Sequence, residues 1–210
     1  MLQTTNEIAR PATVARQAAL AVALGLIWLT ALLFGTGELD HAVLRELYSG
    51  HRPALADAAR LVTMLGDGRV VTLFAFAGAV ALVLRKQTWP ALVLVIGSML
   101  GKAVTELQKY EFNRMRPAEN PHLVVTHNLS FPSGHSANAM MTYVALVLFL
   151  VPSERRGPWL AAALAVTLLV GLSRTMLGVH WPSDVLGGWS YGLFWALFLA
   201  WIARFDPFRR

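Results

Sequence analysis

The chain has 210 residues, 56% of them hydrophobic and 14% charged, with a mean hydropathy of +0.52. A water-soluble globule needs a charged surface that this composition does not supply. The formal net charge of +6 comes from cations set in pairs between apolar runs, with no basic stripe interleaved by aromatics, which argues against nucleic acid as a partner.

In chain order, apolar runs occur at 18–34, 70–84, 89–107, 137–151, 159–172 and 185–202. Each is near the length a bilayer-spanning helix requires, and together they leave little polar sequence for a soluble shell. The expected fold is all-α, a six-transmembrane-helix bundle, with one integral membrane domain covering 1–210. The runs at 70–84 and 159–172 are short and need flanking residues such as Arg69 to reach the interface. The first run lies behind a stretch containing Glu7 and lacks a small-residue cleavage site, so it is expected to be a retained helix. The chain has no cysteine, so disulfides are excluded and the redox compartment is not encoded.

Arg10 with Arg16, Arg85 with Lys86, Arg155 with Arg156, and Arg204 with Arg209 and Arg210 fall at the N-terminus, the second and fourth connections and the C-terminus. Six spans put these four places on one side, which the positive-inside rule makes cytoplasmic. The first connection, 35–68, repeats Leu39, Val43 and Leu47 and then Leu55, Ala59 and Val62 at helical spacing. It is expected either to rest on the membrane surface as amphipathic helices or to be an ordinary loop. Gly97 with Gly101 and Gly188 with Gly192 make two GxxxG spacings, expected to pack this bundle more than to build a dimer.

Three short stretches carry the chemistry: KYEFNRMRP from Lys109, PSGH from Pro132, and SRTMLGVHWPSD from Ser173. They follow the third span, begin the fourth and join the fifth to the sixth, so all emerge on one membrane face. In PSGH, Ser133 is a good N-cap and Gly134 lets backbone approach a ligand, so the free amides of a helix start would face an anion. Taken alone, this tetrapeptide reads more readily as a simple cap. Lys109, Arg116 and Arg174 bring cations to the same face. Guanidinium forks and an ammonium suit the three equatorial oxygens of a phosphoryl transition state, although any one of them alone could snorkel to lipid headgroups.

His180 and Asp184 are four apart, so the carboxylate could accept the Nδ1 hydrogen and leave Nε2 to attack as a nucleophile. Otherwise Asp184 is a helix-start residue beside Ser183. His135 is the candidate general acid, later activating the hydrolytic water. A zinc site built from His135, His180 and Asp184 is the rival reading, opposed by the three cations, which would repel a dication. No metal or cofactor is expected. His41, His51, His122 and His127 show no ligand spacing and are expected to be solvated.

These motifs together resemble the type 2 phosphatidic acid phosphatase (PAP2) family, whose signature is K-x6-RP, then PSGH, then SR-x5-H-x3-D. Lys109 with Arg116 and Pro117, the run Pro132 to His135, and Ser173, Arg174, His180 and Asp184 match in order. The resemblance implies phosphate binding by Lys109, Arg116, Arg174 and the Ser133 and Gly134 backbone, with His180 as nucleophile, His135 as general acid and Asp184 as orienting acid. Where many relatives read R-P-R-P this chain reads R-M-R-P, with Met115 as the departure, expected to loosen the loop. Soluble vanadate-dependent haloperoxidases look similar at the anion site, and the apolar spans favour lipid phosphates.

The expected protein is a metal-independent membrane phosphatase acting on a lipid mono- or diphosphate, among them undecaprenyl diphosphate, phosphatidylglycerol phosphate and phosphatidic acid, through a phosphohistidine. It would lie in a bacterial inner membrane with both termini cytoplasmic and the site extracytoplasmic. Membrane lipids are its surroundings, and oligomeric state is not encoded. A lipid phosphotransferase on the same fold, or a non-catalytic headgroup carrier, are the alternatives. Headgroup discrimination is expected from the first connection and from segment 119–128.

Overall fold

In the computed structural model, residues 11–126 and 129–206 are described; Glu7, Arg10, His127, Asn128, Arg209 and Arg210, which figure in the sequence reading, lie outside them. The described residues form eight α-helices and no strand: α1 Pro11–Phe34, α2 Glu38–Leu47, α3 Pro53–Thr63, α4 Gly68–Leu84, α5 Thr88–Phe112, α6 Gly134–Leu150, α7 Arg156–Met176 and α8 Pro182–Ile202. Single 3-10 turns at Met64–Gly66 and Ser153–Arg155 follow α3 and precede α7.

Each apolar run lies on its own helix, and the chain is an integral membrane protein. Four helices (α1, α5, α7 and α8) are long and apolar enough to cross a bilayer, and α4 with the preceding α3 and its 3-10 turn forms a pair bent by 44° that would make a fifth. The remaining helix, α6, has 17 residues and falls short of that length. Six spans of full length are therefore not what the described residues show. The reason lies in packing: α6 starts at its Ser133 cap, ends before Pro152 and is buried on nearly every face, so helices and not lipid set its length.

Around α6 pack α4, α5, α7 and α8, and α1 leans on α8 from outside. Ala79 and Leu82 of α4, Ala91 and Leu94 of α5, Met140, Val144 and Ala145 of α6, and Ala196 of α8 form the core. Outward-facing Leu26, Leu33, Phe76, Leu100, Leu169 and Phe198 remain exposed, as expected where lipid is the solvent. Small residues make the close approaches. A Cβ on Gly188 would stand 2.7 Å from the Ser133 carbonyl, and one on Gly192 would stand 2.4 Å from the Ala137 carbonyl and 2.9 Å from Met140 Cβ, both on α6. Gly97 and Gly101 receive Leu199 and Trp195 of α8 in the same way. Both GxxxG spacings are thus spent inside the bundle.

The first connection does fold into helices, α2 and α3, but their buried faces differ from the spacing read in sequence. Asp40 and Leu44 of α2 and Ala56, Ala59 and Thr63 of α3 turn inward, whereas Leu39 is 78% exposed. Polar Asp40 and Thr63 are buried because each has a partner on the bundle, described below, so apolarity alone misassigned the face.

Substituting Gly192 by Ala should destabilise the bundle by about 1–3 kcal/mol, since the new methyl meets backbone and not a yielding side chain. Detergent-solubilised unfolding against wild type reads this, and an unchanged midpoint would mean that α6 and α8 can separate freely.

Candidate active site

Three connections meet at one end of the bundle. After α5, Asn113 takes a left-handed conformation at φ 44° and turns the chain toward Arg114 and Arg116. Before α6, the Ser130 amide donates to the Arg114 carbonyl at 2.8 Å and the Ser133 amide to the Asp184 carbonyl at 2.9 Å, so the second and third motifs are bonded directly. Between α7 and α8, Gly178 sits at φ +73°, where a side chain would be strained, and lets the chain reverse within the few residues that carry His180.

His180 is buried, and its two nitrogens are distinguishable. Arg116 Nη1 lies 3.0 Å from Nε2, and because a guanidinium only donates, Nε2 is the acceptor and carries the lone pair. The hydrogen is then on Nδ1, where Ser130 Oγ at 3.3 Å and Asp184 Oδ2 at 3.4 Å share it. Burial first, then the nearby Arg116, Arg174 and Lys109 cations, hold the His180 pKa well below its ordinary 6.5. His135 also contributes to this lowering, which places it in the same electrostatic neighbourhood.

Asp184 is fully buried and saturated with donors. Oδ1 accepts from Arg114 Nη1 at 2.9 Å, while Oδ2 accepts from Ser130 Oγ at 2.5 Å and from the Trp181 amide at 2.9 Å in addition to its contact with His180. The helix-start role and the histidine-orienting role are therefore filled by one carboxylate, and the two readings of Asp184 coexist. Arg114 extends the network by donating to the Ala31 and Leu32 carbonyls at the end of α1, at 3.0 and 2.6 Å, with its guanidinium carbon 4.4 Å above the Phe131 ring.

The remaining motif residues surround this pair. Arg116 Nη1 also donates to the Val179 carbonyl at 2.6 Å. Arg174 is 4% exposed, donates from Nη1 to Thr63 Oγ1 at 2.8 Å, and keeps a buried Nε without a hydrogen-bond partner among the described residues. Lys109 is buried with Nζ 3.5 Å from Glu106 Oε1. Ser133 caps α6, its Oγ accepting from Ser136 Oγ at 2.9 Å. A Cβ on Gly134 would meet Lys109 Nζ only at 3.4 Å, an ordinary contact. Packing does not demand glycine there, and the room lies directly beside the ammonium. His135 is half-buried on the first turn of α6. All eight motif residues named in sequence thus converge on one end.

A cleft of about 720 Å³ is lined by two of them, Lys109 and Arg116, which face Tyr110, Met115, Pro117 and Leu129. Met115 is 74% exposed in this wall, and its carbonyl accepts from Trp181 Nε1 at 3.0 Å. Its backbone is tied down, not loosened. Of the other histidines, His41 pairs with Glu119 and stacks edge-on against Trp181, and His122 donates to the Pro117 carbonyl at 2.8 Å, so neither is simply solvated.

Sequence reasoning passed over Arg114, Ser130, Asp40 and Thr63. Asp40 accepts from the Ser183 amide at 2.9 Å and from Ser183 Oγ at 2.5 Å, fixing the start of α8. Arg114 had one available signal, a third cation two residues before Arg116 at a helix end. Ser130, Asp40 and Thr63 act through contacts far apart in the chain, which no local spacing displays.

Fold and site define an all-helical membrane enzyme with a buried, lone-pair histidine amid cations. The chain belongs to the PAP2 superfamily, whose family model matches residues 87–207. It is 34% identical over 160 residues to phosphatidylglycerophosphatase B of Bacillus subtilis, covering 73% of this chain and 78% of that protein. It is 33% identical over 146 residues to decaprenylphosphoryl-5-phosphoribose phosphatase of Mycobacterium tuberculosis, covering 67% and 76%. The crystal structure of the transmembrane PAP2-type phosphatidylglycerolphosphate phosphatase from B. subtilis superposes with a TM-score of 0.81 at 28% identity, over 90% of this chain and 98% of that one. The chain is accordingly a membrane phosphatase.

Arg114→Ala and Ser130→Ala should each lower kcat by about 10- to 100-fold with a smaller change in KM, because they loosen Asp184 and the Nδ1 hydrogen without touching the cleft cations. A fall confined to KM would show that they act on binding. Because the His180 pKa is depressed, its ring should stay neutral as pH falls through 6.5. Histidine 15N NMR, with the His180 signal assigned by its loss in His180→Ala, checks this; protonation at pH 6 would contradict the geometry.

Proposed function

We propose that the protein hydrolyses a lipid mono- or diphosphate by way of a phosphohistidine at His180. The observation that carries this reading is the fixed tautomer: Nε2 is the lone-pair nitrogen and it faces Arg116, with Lys109 and Arg174 close enough to act on the ring. Attack by Nε2 on phosphorus forms the P–N bond as the P–O bond to the lipid breaks, and His135 gives its proton to the departing oxygen. Positive charge on the ring is stabilised by Asp184 through Nδ1. His135, now neutral, takes a proton from water as the water oxygen attacks phosphorus, and the P–N bond breaks to return free His180 and phosphate.

Lys109, Arg116 and Arg174 would take the equatorial oxygens, joined by amides at the start of α6 behind Ser133 and Gly134. Attack requires Arg116 to pass from Nε2 to a phosphate oxygen, which frees the lone pair for phosphorus as the clamp engages. Arg174 Nε, a buried donor without a partner among the described residues, gains its acceptor in the same step. A terminal phosphate on a large lipid, as in the names of both relatives described above, supports phosphatidylglycerol phosphate as the first substrate to try, with undecaprenyl diphosphate and phosphatidic acid beside it.

The protein would cross a bacterial inner membrane with α1, α4, α5, α6, α7 and α8, both termini cytoplasmic and the site extracytoplasmic. Buried α6 needs no full hydrophobic length, because its neighbours and not lipid surround it. The chain lacks native cysteine, so single cysteines report sidedness without background. Asn120→Cys should react with an impermeant maleimide in intact cells and Ser153→Cys only after permeabilisation; labelling of both from outside would reject this topology.

For the chemistry, purified wild type should release inorganic phosphate in EDTA, and His180→Ala should lose at least about three orders of magnitude. His135→Ala should accumulate an acid-labile, alkali-stable phosphoenzyme from radiolabelled substrate. Phosphate transfer that needs an acceptor lipid would instead make the protein a phosphotransferase, and headgroup binding retained by His180→Ala without any turnover in wild type would make it a carrier.

A further inference from the structure

The far end of the bundle holds a second cavity, of about 980 Å³, larger than the cleft at the phosphate site. Its walls come from one face of α1, including Leu20 and Leu24, and from Phe149 of α6 and Phe198 and Trp201 of α8. The mouth is different in character: Lys86 from the α4–α5 connection, Arg156 at the start of α7 and Arg204 after α8 all line it, against the single carboxylate of Asp206. Each of these cations belongs to one of the basic clusters at the second and fourth connections and the C-terminus, which topology alone accounts for only as surface charge.

Arg156 is held in place, with Nε donating to the Val151 carbonyl at 2.9 Å and Nη2 to the Leu148 carbonyl at 2.8 Å. Trp89 Nε1 reaches the Ile202 carbonyl at 3.4 Å and ties the mouth to the end of α8. An apolar slot open to the bilayer, closed at one end by positioned cations, has the two-part chemistry of a phospholipid: acyl chain along the aromatic wall, anionic headgroup at the mouth.

We propose that this cavity is a binding site for an anionic phospholipid of the leaflet opposite the phosphate cleft. The lipid wedges between α1 and the α6–α8 body, where α1 is otherwise only lightly packed: 11% of its spanning window is buried within the protein. Three cations against one carboxylate favour an anionic headgroup over a zwitterionic one. No residue of this site is shared with the phosphate cleft, so the inference stands independently of the proposed reaction.

Native mass spectrometry of the full chain in mild detergent, titrated with phosphatidylglycerol or phosphatidylcholine, tests it. Neither lipid carries a terminal phosphate monoester, so turnover does not intervene. Wild type should retain one phosphatidylglycerol in preference to phosphatidylcholine, and Lys86→Gln with Arg204→Gln should weaken that retention by about tenfold or more. Ala200→Trp, which fills the slot while keeping the cations, should also expel the lipid, whereas Lys109→Gln, altering only the phosphate cleft, should leave retention unchanged. Equal retention of both lipids, or indifference to the double substitution or to Ala200→Trp, would overturn the proposal. Loss of retention in Lys109→Gln alone would move the bound lipid to the phosphate cleft and overturn it as well. Loss of phosphatase activity in any of these variants has no bearing on the outcome.

Discussion

A carboxylate with no solvent exposure cannot stay ionised in this setting unless every lone pair is occupied, and Asp184 meets that condition with four donors from three places in the chain. Arg114 arrives from the end of α5, Ser130 from the segment before α6, and the Trp181 amide and His180 ring from the turn before α8. Trp181 and His180 reach Asp184 through the local turn at the start of α8, but Arg114 and Ser130 could not be brought there by local folding. The same bonds that satisfy the buried charge determine where the three motif segments lie, and the lone pair of His180 Nε2 is a by-product of that satisfaction. Electrostatic necessity and catalytic geometry are here one arrangement.

Around this centre the site is unbalanced by design of its charges. Asp184 is matched by Arg114, and Lys109, Arg116 and Arg174 outnumber the other acidic side chains that act on them, Glu106 and Asp67. Such an excess of buried cation is costly alone and is relieved by a doubly charged anion. Burial and these same cations keep the His180 imidazole neutral, so the ring that would attack and the charges that would hold a phosphate depend on overlapping residues.

Much of this was legible in sequence, for different reasons in different places. The six apolar runs appear as six helices because hydrophobic length is written continuously along the chain. All eight motif residues converge because all three motifs begin or end helices, where caps and cations have fixed meanings. The expected bilayer-spanning length was overstated at α6, where protein neighbours surround the helix and 17 residues are present. The buried faces of α2 and α3 were misread because Asp40 and Thr63 are inside to serve Ser183 and Arg174, and a polar residue that is buried to bond a distant partner looks, in sequence, like surface.

Arg114 reaches beyond the segment that defines the family. Its guanidinium grips the last carbonyls of α1, and Asp40 on α2 grips the first amides of α8, whereas the family model begins at residue 87. The segment that the family model matches and the set of residues that hold this site together are therefore different objects. A fragment starting at residue 87 would carry every signature residue yet strip Arg114 of two of its acceptors and Ser183 of its anchor. In a lineage that exchanged its N-terminal helices, the signature could persist intact while the carboxylate beneath the nucleophile lost its support, so the presence of the motif alone does not certify a working centre.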